Sequence, residues 1–150
     1  MEIFRISRKE YSDKLYASGS ANRWNRDGEK VIYAGSSRSL AALELIVHRG
    51  AVKPNFNYKV LVISADDKDE IVKQVFVNSL PKNWRKMSAY PDLQKIGSDW
   101  YRSKETLLLK VPSSVIPMEY NYLINTQHQN FNSYIKLVRV EDYFWDERLL

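Results

Sequence analysis

The chain has 150 residues, 44% of them hydrophobic and 27% charged, which fits one soluble globular domain with a real core. Cysteine is absent, which excludes disulfides, thiolate metal sites and a thiol nucleophile. The net charge of +5 is scattered among acids with no basic stripe, so direct nucleic-acid binding is not expected, whereas a phosphate-bearing small ligand or an acidic protein partner is.

Residues 2–7 alternate, with Ile3, Arg5 and Ser7 opposing Phe4 and Ile6, and predict an opening strand. Residues 9–17 carry Tyr11, Leu15 and Tyr16 in a short helix or an irregular segment. A small-residue loop occupies 18–22, and residues 23–28 end in Asp27-Gly28, a turn suited to a hairpin. Val31-Ile32-Tyr33-Ala34 is a compact strand stopped by Gly35. The stretch 39–47 then reads as a helix, because Leu40, Leu43, Glu44 and Val47 fall at i, i+3, i+4 and i+7. Ser36, Ser37 or Ser39 can cap its start, and Gly50 closes it after His48 and Arg49. Apolar residues on nearly all sides predict burial, which puts Glu44 in or beside the core. A carboxylate there needs a partner. Alone, it reads as a solvent-facing Glu, as an ion-paired structural group, or as an anion at the floor of a cleft.

Residues 57–64 form a continuous apolar run, the mark of a central strand covered on both faces. A shorter strand is expected at 71–77, and a loop at 80–91 with room for a short helix. Leu93, Ile96 and Trp100 predict a helix over 93–103, weakened by Gly97. Residues 106–111 make a strand ended by Pro112, and 113–117 a turn. Met118, Tyr122 and Leu123 give 118–125 a short helical pattern, and 134–140 and 143–145 are closing strands. The sum is α+β: a single compact domain over 1–150 with mixed strands, short helices and long loops. No stretch approaches the roughly 20 apolar residues of a membrane span, and the first residues lack a signal-peptide core, so a cytoplasmic protein without membrane association is expected.

Five glycines make no phosphate-cradling loop, and His48 and His128 lack metal-site spacing. Polar residues embedded in apolar or turn context remain: Arg23 beside Trp24, Tyr33, Glu44, Ser113, Asn121 and Asn125. Each has a structural explanation by itself. Together they read as a site, in which an Arg fork suits a pyrophosphate, a Tyr offers a stacking face, and a Glu stabilises developing positive charge.

The motifs Arg-Trp-Asn (23–25), Val-Ile-Tyr-Ala (31–34), Ser-Leu-Ala-x-Leu-Glu-x-x-Val-His (39–48) and Ile-Gly-x-x-Trp (96–100) stand in this order. Val-Pro-Ser-x-x-x-Pro-x-Glu-x-Asn-x-Leu-x-Asn (111–125) and a closing Asp146-x-Arg148-Leu149 follow. From Phe4 to Leu149 the chain resembles the RES-domain toxins of bacterial toxin–antitoxin pairs. The resemblance implies a fold similar to ADP-ribosyltransferases and an enzyme that degrades NAD, cleaving the nicotinamide–ribose bond with water or phosphate as acceptor. NAD is then substrate, with no resident cofactor or metal. It also implies a helix-turn-helix, Xre-like antitoxin that covers the active site, and allows a homodimer within that assembly. The family's functional residues fall on Arg23, Tyr33, Glu44 and Ser113, with Trp24 and Asn125 added on the substrate side. Two departures stand out: Ala21-Asn22 replaces the family's Gly-Gly, and Asn125-Thr126-Gln127-His128-Gln129 replaces Asn-Pro-x-His-Pro. The rival functions are an ADP-ribosyltransferase acting on a macromolecule and a non-catalytic partner-binding domain.

Overall fold

Strand β1 (Glu2–Arg8) shows how the chain is layered, because Ile3 is buried on one face while Phe4 and Ile6 are buried on the other. The computed structural model describes residues 1–48, 56–66 and 68–149. Within it follow β2 (Val31–Gly35), α1 (Arg38–Val47), β3 (Tyr58–Ala65), β4 (Val72–Gln74), α2 (Tyr90–Ser103), β5 (Leu108–Pro112), β6 (Tyr120–Asn125), α3 (Phe131–Tyr134) and β7 (Ile135–Tyr143). The seven strands are ordered β4-β5-β6-β2-β1-β3-β7, antiparallel except for the β4–β5 pair. The expected single α+β domain is what forms.

The sheet is nearly two. β1 and β2 share one register pair, Phe4 opposite Gly35, whereas β1 follows β3 from Glu2–Ser64 to Arg8–Tyr58. The half-sheets β4-β5-β6-β2 and β1-β3-β7 bury their inner faces in a common core that includes Ile3, Ile32, Leu61, Ile63, Leu108 and Ile124. On its outer face the first half-sheet packs Val31, Leu109, Val111 and Leu123 against Leu93 and Trp100 of α2. The second packs Phe4, Ile6, Tyr58, Val60 and Val62 against Ala41 and Ala42 of α1. Helix α1 begins where β2 stops. Ser37 caps it by accepting from Leu40 N–H, and a Cβ at Gly35 would lie 3.0 Å from Ala41 N, so a residue without a side chain is needed for this close turn.

Several expectations are corrected. Residues 118–125 are not helical: Tyr120–Asn125 form β6, paired with β2 on one side and β5 on the other, and Met118 is 88% exposed outside it. Their aromatic and β-branched residues suit a two-sided strand, and pairing on both edges overrides a weak helical spacing. The two closing strands are one, β7, preceded by the short α3. The 71–77 strand shrinks to β4, and Asp27-Gly28 feeds no hairpin, since β2 pairs with β6 and β1. β3 is covered on both faces as expected but lies second from the sheet edge. Helix α2 starts at Tyr90, with Pro91 in its first turn, three residues before its expected start. Helix α1 buries only Leu40, Ala41 and Ala42, leaving Leu43 and Val47 37% and 55% exposed, because it covers one sheet face and nothing among the described residues covers the helix. The closing role assigned to Gly50 lies outside the described residues. Among those described, no helix is long and apolar enough to cross a membrane.

Candidate active site

The loop between β1 and β2 is held as tightly as a strand. Asn22 and Asn25 form an isolated bridge, and the buried Asn25 Nδ2 donates to Ser20 O at 2.9 Å and Arg26 O at 3.1 Å. Its Oδ1 accepts from the Tyr33 hydroxyl at 2.6 Å, and the Tyr33 oxygen in turn accepts from Trp24 N–H at 3.1 Å. Tyr33 thus fixes the Arg-Trp-Asn turn, and burial pushes its hydroxyl well above the usual phenol range. Trp24 is sunk into the α2 core with Trp84 and Trp100. The reason for Gly97 lies here. A Cβ at that position would come within 1.6 Å of Trp24 O, so α2 can press on this backbone only through a glycine.

Arg23 leaves this loop with its charge already positioned. Its Nη1 donates to Trp84 O at 3.1 Å and Arg85 O at 3.2 Å, and its guanidinium lies 4.8 Å from the Tyr90 ring centroid. Across the cleft, Glu44 projects from α1 and is partly buried. Its Oε1 accepts from Ser113 Oγ at 2.6 Å and from Asn121 Nδ2 at 2.7 Å. Ser113 is fully buried at the end of β5, and its oxygen also accepts from Val115 and Ile116 N–H at 3.0 Å each. One carboxylate oxygen is therefore locked from two directions, while Oε2 makes no bond to a described residue.

A cleft of about 330 Å³ opens where β1 and β2 part, a volume suited to a small ligand. Glu44, Arg23, Tyr33 and Trp24 all line it, from three separate stretches of sequence. Ser113 does not line it and stands behind Glu44. Asn125 belongs elsewhere. It lies fully buried at the opposite end of β6, donating to Tyr101 O and accepting from Gln127 N–H, so its expected contact with a ligand at this cleft is not formed. The departure in sequence after it is local to that turn, where His128 Nδ1 accepts from Asn130 N–H. The closing Asp146–Arg148 pair is an exposed local ion pair.

Arg5, Asn121 and Tyr90 also line the cleft, and the first and last were not picked out from the sequence. Arg5 had a readable signal, a cation at an alternating position in line with buried Ile3. Tyr90 had none, since its ring is brought to Arg23 by the start of α2. His48 lies at the rim beyond the end of α1. No group of three or more His, Asp or Glu among the described residues could hold a metal ion. What the cleft offers is an oriented carboxylate, two guanidinium groups and aromatic walls.

The RES domain family model matches residues 2–146. A protein named Toxin Res from Yersinia enterocolitica is 31% identical, with 99% of each chain covered, and its namesake from Photorhabdus laumondii is 29% identical over 100% of this chain and 97% of the relative. A protein named Prs ADP-ribosylating toxin, from a Sphingobium species, is 34% identical over 93% of this chain and 88% of its own. With a matching family model over nearly its full length and toxins of that name as relatives, the chain belongs to the RES-domain toxin family.

Proposed function

We propose that the cleft binds NAD and that Glu44 promotes rupture of the nicotinamide–ribose bond, so that the toxin acts by consuming NAD. Nicotinamide in NAD is already a cationic leaving group, and its departure leaves an oxocarbenium-like ribose. Catalysis then needs a fixed negative charge beside that ribose and a held substrate. The observation that carries the reading is the Glu44 carboxylate, anchored through Oε1 by Ser113 and Asn121 at a cleft wall. A pre-oriented anion requires no reorganisation as positive charge develops. Oε2 would face the ribose or direct the acceptor hydroxyl, Tyr33 would pack its ring against nicotinamide or its ribose, and Arg23 would anchor the pyrophosphate. With water as acceptor the products are ADP-ribose, nicotinamide and a proton. With phosphate they are the ribose phosphate ester and nicotinamide.

Incubating the purified protein with NAD, with and without phosphate, tests this directly. Release of nicotinamide with free ADP-ribose or its phosphate ester is expected; no nicotinamide in either condition rejects the reading. The name of the Sphingobium relative favours a second reading, transfer of ADP-ribose to a macromolecule. Labelled NAD with cell lysate separates them, because transfer leaves the label on protein or nucleic acid. A helix-turn-helix antitoxin covering the cleft is proposed as partner, supported by the exposed Leu43 and the cleft-lining, exposed Val47 on α1.

A further inference from the structure

A second pocket, of about 280 Å³, lies beyond the end of β6 that is away from Glu44, between the last turn of α2, the turn before β4 and the turn leading into α3. It is at the small end of the range of ligand sites. Ile71 and Leu107, both buried, give it an apolar wall. His128 also lines it and is only 7% exposed, yet half of its ring is unused. Nδ1 accepts from Asn130 N–H at 3.0 Å, which leaves the ring proton on Nε2. Nε2 makes no hydrogen bond to a described residue, and the sealed, unpaired side-chain atoms among those residues are Arg8 Nε and Trp145 Nε1. The Nε2–H donor is therefore open to the pocket.

Lys104 lines the same pocket from the end of α2, with φ at 54°, the left-handed region that a helix end usually gives to Gly or Asn. A lysine held there at a conformational cost points to a use for its side chain. Glu70 and Glu105 line the pocket as well. Charges of both signs thus border one space, yet none of the three forms an ion pair with another or with any described residue. A lone anion placed there would meet two carboxylates, and a lone cation would meet the lysine. A ligand carrying both charges satisfies them all. We infer that this pocket binds a free α-amino acid with an apolar side chain. Its carboxylate is taken by His128 Nε2–H and Lys104, its ammonium by Glu70 and Glu105, and its side chain by Ile71 and Leu107. The site is separate from the Glu44 cleft and does not depend on the NAD reading.

Titration of leucine into nitrogen-15-labelled wild-type protein, followed at the His128 ring nitrogens, tests it, with leucinamide, N-acetylleucine and inorganic phosphate as comparisons. A saturable shift of Nε2 with leucine is expected. Leucinamide and N-acetylleucine, each lacking one of the two charges, should bind at least about tenfold more weakly, the size of losing a charge-assisted hydrogen bond. An unmoved His128 resonance at millimolar leucine overturns the proposal. So does equal binding of either analogue, or a shift with phosphate as large as that with leucine. Lys104→Gly separates recognition from folding, because glycine suits the left-handed backbone. Its melting temperature should hold or rise while leucine binding falls about tenfold, and unchanged binding in the folded variant overturns the proposal. Should that variant not fold, the comparison of leucine with its two analogues in wild-type protein decides.

Discussion

Two carboxylates, Glu29 in the loop before β2 and Glu44 on α1, are handled in opposite ways. Glu29 is buried and uses both oxygens on the fold: Oε1 accepts from Arg26 N–H at 2.6 Å, and Oε2 from Ser98 Oγ at 2.5 Å, with Arg102 at 4.0 Å. Glu44 receives two donors as well, but both at Oε1, and it stands at a cleft wall. Partner count does not separate them. The distribution of partners does: a saturated carboxylate locks the loop under α2, whereas Glu44, anchored through one oxygen, keeps its second without a bond to a described residue. The same contrast divides Arg23, braced by carbonyls, from Arg5, which makes one hydrogen bond to a described residue.

If that division is right, the largest effect belongs to Glu44→Gln. It should lower nicotinamide release by at least about a hundredfold, the size of losing one preorganised electrostatic group, while the melting temperature stays near wild type. Near-normal turnover in the folded variant would erase the distinction from Glu29. Glu29→Ala should do the reverse, costing about 1–3 kcal/mol in urea unfolding because Arg26 N–H and Ser98 Oγ lose their acceptor. Its kcat at saturating NAD should stay within about threefold of wild type. A collapse of kcat without loss of stability would show that the buried carboxylate also works on the ligand.

Asn121→Ala removes one of the two Glu44 anchors and is expected to lower kcat about tenfold, with KM little changed, because orientation rather than binding is lost. A change confined to KM would place Asn121 on the substrate instead. The smallest effect belongs to an ion pair on the edge strand β7. Arg38 and then Arg139 hold the exposed Glu141 carboxyl down to about 2 from 4.5. A depressed carboxyl adds stability above its unfolded pKa and loses it as pH falls toward the folded one. The stability gap between wild type and Glu141→Gln should therefore close as pH falls from 4.5 to about 2. Salt should also shrink it, as for any exposed pair.

Much of the strand pattern was legible because alternation and apolar runs report burial directly: β1, β2 and the two-sided β3 follow from their own residues. Glu44, Arg23 and Tyr33 were legible as polar residues in places that burial makes costly, and they do share a cleft. β6 was not legible. The Met118, Tyr122 and Leu123 spacing suits a turn of helix, and only pairing with β2 and β5 makes Tyr120–Asn125 a strand. Asn125 misled for a related reason, since a buried Asn bonded to Tyr101 O has the same local sequence signal as one aimed at a ligand. Gly97 weakened the expected helix although it is the residue that lets α2 reach the Trp24 backbone.

The sequence by itself determined the family, the class of fold and the presence of one costly carboxylate on an apolar helix, because motif spacing and hydrophobic period are properties of the chain alone. Only the tertiary structure decided which polar groups face the ligand space. That choice depends on β1 and β2 parting after one pair, and on Ser113 and Asn121 converging on one oxygen of Glu44 from 69 and 77 residues away. Contacts at that separation leave no local trace, since each partner's own neighbourhood is satisfied by strand and turn formation before the two meet.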